Sequence, residues 1–249
     1  MRAAAWMLVL LSGACAAPSA TSDGAPEPIA VASDLDNAPF AYVDAQGRPA
    51  GRDVEMMAEL ARRAGLELRW RRRPFEELLP AAESGAVDVV CATLGVTPGR
   101  AERVAFTRPY FRTRIVAVAR AGPGEPGALA QLAGRAVAAG RGTTSERAVR
   151  RALPTARLVA EDKGRSSEER LLAGEVDAAV MDGPAAAALV ARSGGGLVLL
   201  EPALAGEDYA LALPRDRREL LRRLDRALAE LEREGWLAEL DARHGLAGR

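Results

Sequence analysis

The sequence predicts an α/β protein of two lobes, each a mostly parallel sheet with helices on both faces, and a cleft between them. Three observations lead there. Short apolar runs alternate with segments of helical period from residue 29 to residue 214. One segment recurs: "SGAVDVVCAT" (84–93) and "AGEVDAAVMD" (173–182) align without gaps. Each copy has a glycine after a helix (Gly85, Gly174), an aspartate three residues on (Asp88, Asp177), an apolar strand, and a polar residue at its end (Thr93, Asp182). Finally, the chain of 249 residues is 49% hydrophobic and 27% charged, a globular composition long enough for two lobes.

The elements follow in order. "IAVAS" (29–33) is a strand. "GRDVEMMAELARRAG" places Val54, Met57, Ala58 and Ala61 on one helical face and ends at Gly65, a C-cap. "LELRW" is a strand, "PFEELLPAAESG" a helix opened by Pro74, and "VDVVCA" a buried strand. The second half repeats the alternation: strand "RIVAVA", helix "GALAQLAG", strand "AVAAG", helix "SERAVRRAL", strand "RLVA", helix "SSEERLLAG", strand "VDAAVM", helix "PAAAALVARSG", strands "LVLL" and "YALALP". A long helix closes the chain over 216–245, with Leu220, Leu224, Leu228 and Leu231 as its apolar stripe. Ligands of open α/β sheets bind at the carboxyl ends of strands, which puts Thr93 and Asp182 at the cleft.

Composition excludes several classes. With 34 basic and 34 acidic side chains, the chain has no general attraction for nucleic acid or an anionic membrane. No apolar run reaches the ~18 residues of a spanning helix. One histidine (His244) and two cysteines make no recognisable metal site, and no cofactor is expected. Cys91, in an apolar strand, reads as a small buried hydrophobe. Residues 1–15 have the pattern of a secretory signal: Arg2, an apolar run to Leu11, then small residues. "SGAC" resembles a bacterial lipoprotein cleavage site with Cys15 as the lipidated residue, although Ser12 stands where such sites usually have Leu; ordinary signal cleavage nearby is the competing reading. Residues 16–28, rich in Ala, Pro and Ser, read as a flexible tether. The basic run Arg69, Arg71, Arg72, Arg73 reads first as a solvated strand end.

Four ordered motifs then carry a resemblance over residues 29–245: "ASDLDNAPFAYVDAQGRPAGRDVEMMAELARRAG", "FEELLPAAESGAVDVVCATLGVTPGRAERVAFTRPYF", "LAGRAVAAGRGTTSE" and "LLAGEVDAAVMD". The sequence resembles the extracytoplasmic solute-binding proteins of ABC importers, polar amino-acid binding family (bacterial solute-binding protein family 3). The resemblance implies a type II periplasmic-binding-protein-like fold. Lobe 1 would be 29–112 with 207–249, lobe 2 the inserted 113–206, and the crossovers near Phe111–Arg114 and Glu201–Asp208 would form the hinge.

Site residues follow from the same resemblance. Arg100 matches the arginine that clamps the ligand α-carboxylate, and a guanidinium does offer two parallel donors to a carboxylate. Asp182 matches the acceptor of the α-ammonium; it also reads as the N-cap of the next helix. Thr143 and Thr144 match a loop that holds the carboxylate from lobe 2, with Thr144 and the backbone of the pair as the main contact. Thr143-x-x-Glu146 is equally a capping-box pattern. Thr93 and Gly95 match contacts to the α-amino and carboxylate groups; Gly95 and Ala92 stand where relatives often have hydroxyls. Asp34 and Phe75 would face the ligand side chain, Phe75 as an apolar or stacking wall, the alternatives being a bend cap and a core residue. Asn37 replaces a frequent aromatic. Arg141 would favour an acidic ligand and Asp34 a polar or cationic one, so the sequence leaves the two unranked.

The implied function is non-catalytic capture of a small ligand, an L-amino acid first, and its delivery to an ABC permease by a monomer held to the membrane by a lipid anchor only. Two alternatives stay open: a sensing module for a membrane receptor, and a prephenate or arogenate dehydratase, which needs a placed general acid or base that the chain does not visibly offer.

Overall fold

The structure is a computed structural model that describes residues 26–161 and 165–246. The expected leader 1–15, Cys15 and the greater part of the 16–28 tether lie outside the described residues. The first strand begins at Glu27, two residues ahead of the expected start, and pairs with Leu66 at once.

The chain runs β1 (Glu27–Ser33), β2 (Asp36–Asn37), β3 (Ala41–Val43), β4 (Pro49–Ala50), α1 (Arg52–Ala64), β5 (Leu66–Arg72), α2 (Phe75–Glu83), β6 (Val89–Val90), α3 (Pro98–Ala101), β7 (Ala105–Phe106) and β8 (Phe111–Arg120). It continues with β9 (Ala136–Ala139), α4 (Thr144–Ala152), β10 (Arg157–Ala160), α5 (Ser167–Leu172), β11 (Ala178–Asp182), α6 (Gly183–Arg192), β12 (Leu197–Tyr209), β13 (Ala212–Leu213), α7 (Arg218–Arg233) and α8 (Trp236–Arg243). The expected helix "GALAQLAG" is one 3₁₀ turn, Leu129–Leu132.

Two five-stranded sheets form the two lobes, in the orders β5-β1-β6-β13-β7 and β10-β9-β11-β8-β12. The parallel pairs expected from alternation are there: β5, β1 and β6 in one, β10, β9 and β11 in the other. The remaining strands run antiparallel, so the sheets are mixed rather than mostly parallel. The reason is the two passages between lobes. β8 and β12 pair from Phe111↔Tyr209 to Arg120↔Leu197, one strand leaving the first lobe and the other returning. Their Phe111 and Tyr209 ends belong to the core of the first sheet, whereas Ile115, Ala117 and Leu200 belong to that of the second.

The sequence echo has a shared mechanical role. Asp88 accepts from the Ala30 N–H and Asp177 from the Ala136 N–H, both at 2.8 Å. Each aspartate thus fastens the loop before its strand to the neighbouring parallel strand, β1 or β9. Both strands then end at the cleft.

Two helices depart from expectation. In α1 the buried residues are Arg52, Asp53, Met56, Met57, Leu60 and Ala61, a face rotated from the expected stripe, since Ala58 is exposed and Val54 half-buried. The C-terminal helix keeps its stripe of Leu220, Leu224, Leu228 and Leu231, but breaks at Gly235, whose φ of 78° ends α7 and starts α8. Among the described residues no helix is long and apolar enough to cross a membrane.

Candidate functional site

Strand ends from both sheets deliver side chains to one cleft of about 760 Å³. From the first lobe come Asp34 after β1, Asn37 on β2, Phe75 at the start of α2, Thr93 and Gly95 after β6, and Arg100 on α3. From the second come Arg141, Thr143 and Thr144 between β9 and α4, and Asp182 at the end of β11. All ten residues expected from the sequence line this cleft.

Arg100 is held rigidly. Thr97 caps α3 by accepting from the Arg100 N–H at 3.3 Å, with Pro98 at the first helical position. The guanidinium donates to the Gly95 carbonyl at 2.8 Å and across the cleft to the Gly142 carbonyl at 3.2 Å. The Phe75 ring lies 5.8 Å from it, a cation–π contact. Burial leaves it 9% exposed and draws its pKa down, yet an arginine keeps its charge. Among the described residues it enters no ion pair within 4.0 Å; the Glu207 carboxylate acts on it from further away.

Asp182 is the N-cap of α6 and accepts from the Ala185 N–H at 2.9 Å. The Tyr209 hydroxyl lies within hydrogen-bonding reach of it. Burial raises its pKa. Thr143 caps α4, accepting from Glu146 N–H at 3.2 Å and donating to the Gly140 carbonyl at 2.7 Å. Only half of the expected capping box forms: the Glu146 carboxylate accepts from Gly142 N–H at 2.7 Å, one residue ahead of the cap. Thr144 gives its hydroxyl proton to Glu207.

Thr93 sits at φ 46°, a left-handed conformation that is a genuine outlier for a β-branched residue. Its hydroxyl oxygen accepts from Asn37 Nδ2 at 2.9 Å, which leaves the hydroxyl proton for an acceptor in the cleft. Such strain concentrates at ligand clamps. Gly95 lies in close approach to Glu207 and Thr144. A side chain there would run into the Glu207 carboxylate and lie 2.9 Å from Thr144 Cγ2.

Asp34 and Arg141 differ sharply. Burial pushes the Asp34 carboxyl up to about 6, with the nearby Asp36 charge adding to the rise, and its Oδ1 has no hydrogen-bond partner. Arg141 is exposed at the rim and donates to the Glu161 carbonyl at 3.1 Å. The lining carries Asp34, Asp36, Glu76, Glu161, Glu168, Asp182 and Glu207 against Arg100 and Arg141. The cleft is acidic except at Arg100.

Sequence reasoning passed over Glu207 and Tyr209, both on β12, together with Glu161 and the start of α5. Glu207 is 9% exposed. Burial raises its carboxyl to about 7, the Asp182 charge adds to the rise, and Thr144, Tyr209 and Arg100 hold it back. A signal existed. Glu207 and Tyr209 are two apart on a strand and share a face, but the flanking "GED" reads as an ordinary solvated connection.

Comparison with known proteins gives a consistent result. Residues 29–247 match the profile of the bacterial extracellular solute-binding proteins, family 3. The L-cystine-binding protein TcyJ of Escherichia coli K12 is 26% identical over 203 residues, 81% of this chain and 76% of its own. The lysine/arginine/ornithine-binding periplasmic protein of the same strain is 28% identical over 249 residues, covering 92% of this chain and 91% of its own. Among solved structures, a mutant of ArgBP from T. maritima superposes with a TM-score of 0.78 at 31% identity, over 87% of this chain and 94% of that one.

Proposed function

Because the chain belongs to the bacterial extracellular solute-binding proteins, family 3, we propose that its cleft takes an L-amino acid by both ends of the zwitterion and presents it to an ABC permease. Arg100 receives the α-carboxylate, helped by the Thr143–Thr144 backbone at the start of α4 and by the Thr144 hydroxyl when it turns from Glu207 to the ligand. Asp182 receives the α-ammonium, with Thr93 and Gly95 between the two ends. The observation behind this reading is that Arg100 and Asp182 face one cleft from opposite lobes, and neither forms an ion pair among the described residues. A buried charge without a partner costs several kcal/mol, and a zwitterion supplies both partners at once.

The side-chain end favours a cationic ligand. The Oδ1 atom of Asp34 is buried without a hydrogen-bond partner, Phe75 offers an aromatic wall in the same cleft, and Arg141 is spent at the rim. Relatives named for arginine, and for lysine, arginine and ornithine, agree with that choice. Asn37 binds Thr93, so it acts on the ligand through that hydroxyl.

We read the protein as binding its ligand without turning it over, in keeping with relatives named for binding amino acids. It acts as a monomer. We set the lobe boundary at 112/113 and 206/207; the change of β8 and β12 from one core to the other between 111 and 115 and between 205 and 209 supports it. Export by the 1–15 leader and lipidation at Cys15 hold it at the membrane, and a Cys15→Ala variant would then leave the membrane fraction. Isothermal titration of L-arginine into wild-type and Arg100→Ala protein tests the central claim. Binding is expected in the first and lost in the second, and equal affinity in both would remove Arg100 from the clamp.

A further inference from the structure

Two carboxylates, on different strands, face this cleft. Asp182 ends β11 and Glu207 lies on the returning strand β12. Tyr209, on the same face of β12 as Glu207, has its hydroxyl within hydrogen-bonding reach of both. A phenol has one proton, so it can donate to only one of them at a time. The other donors are few. Asp182 has the Ala185 N–H and Glu207 has the Thr144 hydroxyl. Arg100 is the nearest cation, but its guanidinium donates to the Gly95 and Gly142 carbonyls. The groups facing Glu207 are therefore Asp182 from β11, Arg100 from α3, Thr144 from α4 and Tyr209 from its own strand. Arg147, further along α4, acts on Arg100.

We propose that Glu207 is a specificity-determining residue: a second acceptor, opposite Asp182 across the Tyr209 hydroxyl, for the ligand's primary α-ammonium. This rests on the amino-acid reading above. An ammonium has three donors and one positive charge. One carboxylate satisfies part of it; two, with Thr93 or a backbone carbonyl nearby, satisfy the whole head group. The same cation removes the repulsion between the two carboxylates. An analogue with a hydroxyl or a keto oxygen in place of the ammonium leaves both carboxylates facing an uncharged group, and is rejected.

The close fit at Gly95 supports the assignment. A Cβ at that position would meet the Glu207 carboxylate where it now lies, and the carboxylate would have to turn aside. The missing hydroxyl at position 95 and the inward carboxylate at 207 are thus one feature. The acceptor that a serine at 95 would have supplied comes instead from the crossover strand.

A consequence is measurable. Burial and Asp182 raise the Glu207 carboxyl to about 7 in the free protein. Ligand requires the ionised form, so binding releases a proton from the fraction that is protonated. Affinity then rises with pH through 7 and levels off above it. For one such group the gain from pH 6 to pH 8 is about tenfold.

The experiment is isothermal titration of L-arginine, and of its des-amino analogue 5-guanidinopentanoate, into wild-type and Glu207→Gln protein at pH 6, 7 and 8. Expected are a roughly tenfold gain in wild-type affinity for arginine over that range, a flat and roughly tenfold weaker response at pH 8 in the variant, and no measurable binding of the analogue to wild type. Equal or tighter binding of arginine by Glu207→Gln at pH 8 overturns the proposal, since it would make Glu207 a bystander or a competitor of the ligand carboxylate. Loss of arginine binding in Arg100→Ala while the Glu207 effect is absent would leave the general site standing and sink only this residue's role. The ligand-free melting temperature gives a readout that does not depend on arginine being the ligand. Ionised Glu207 is disfavoured by the fold, so its cost is absent at pH 4.5, grows as pH rises toward 7, and is complete at pH 8. Glu207→Gln should therefore melt higher than wild type at pH 8 relative to pH 5, and a difference that does not change with pH would overturn the pairing with Asp182.

Discussion

Asp34, proposed above to meet the ligand side chain, carries a cost to the free protein's stability. Its carboxyl rises from an ordinary 3.8 to about 6, chiefly through burial, so the fold disfavours the ionised form. The sign follows: no cost below pH 4, a growing one between 4 and 6, and the full cost above. At ~1.4 kcal/mol per unit the upper bound is about 3 kcal/mol. Asp34→Asn should therefore raise the ligand-free stability at pH 8 and leave it unchanged at pH 3.5, read by thermal denaturation. The same variant should bind arginine about 10- to 100-fold more weakly, the value of a charge-assisted hydrogen bond, as titration would show. A stable variant with undiminished arginine affinity would remove Asp34 from the side-chain pocket. Asp34 and Arg100 were legible in the sequence because the motifs that hold them, "ASDLDN" and "TLGVTPGR", carry the family resemblance. Their ranking against Arg141 was not, because that depends on which side chain is buried and which one finds a carbonyl at the rim. Glu207 was hidden for a similar reason, since only tertiary contact separates a buried "GED" from a solvated one.

At the scale of elements, alternation of strand and helix was readable wherever the pattern was local. What was missed came from contacts distant in sequence. The face of α1 is set by Arg52 and Asp53, two charged residues that periodicity assigns to solvent and the fold buries completely. Arg52 donates to Asp241 on α8 at 2.8 Å, to Asp53 at 3.2 Å and to the Tyr110 carbonyl at 3.2 Å; the Tyr110 hydroxyl donates to Asp53 at 2.7 Å. The guanidinium lies 5.2 Å from the Tyr110 ring and 5.6 Å from that of Phe111, where β8 leaves the lobe. One arginine so ties α1, α8 and the first crossover together. Removing it strands Asp53 as a buried charge, already pushed toward its neutral form by burial. Arg52→Ala should lower stability by about 3–5 kcal/mol in urea denaturation. A loss under 1 kcal/mol would mean that the network is relaxed by water and does not brace the crossover.

At the scale of the molecule, the chain passes between the two lobes along β8 and β12, and among the described residues the lobes meet across the cleft through Arg100 with Gly142, Thr144 with Glu207 and Tyr209 with Asp182. Such contacts are few beside the cores that each lobe buries for itself, so the lobes can part about the crossovers while each stays folded. A zwitterion bound between Arg100 and Asp182 adds charge-assisted bonds to both lobes at once, and those bonds exist only in the closed form. Closure and binding are then one equilibrium, and ligand stabilises the closed molecule by mass action. At 100 times its dissociation constant a ligand contributes about 2.7 kcal/mol. For a chain of this size each kcal/mol moves the melting temperature by about 2–4 °C, so a rise of about 5–10 °C is expected with arginine in wild type and none in Arg100→Ala. Small-angle X-ray scattering should show a smaller radius of gyration on saturation in wild type only. A thermal rise without compaction would mean that ligand binds to a cleft already closed, with the Arg100–Gly142 contact persisting in solution and the crossovers acting as a brace rather than a hinge.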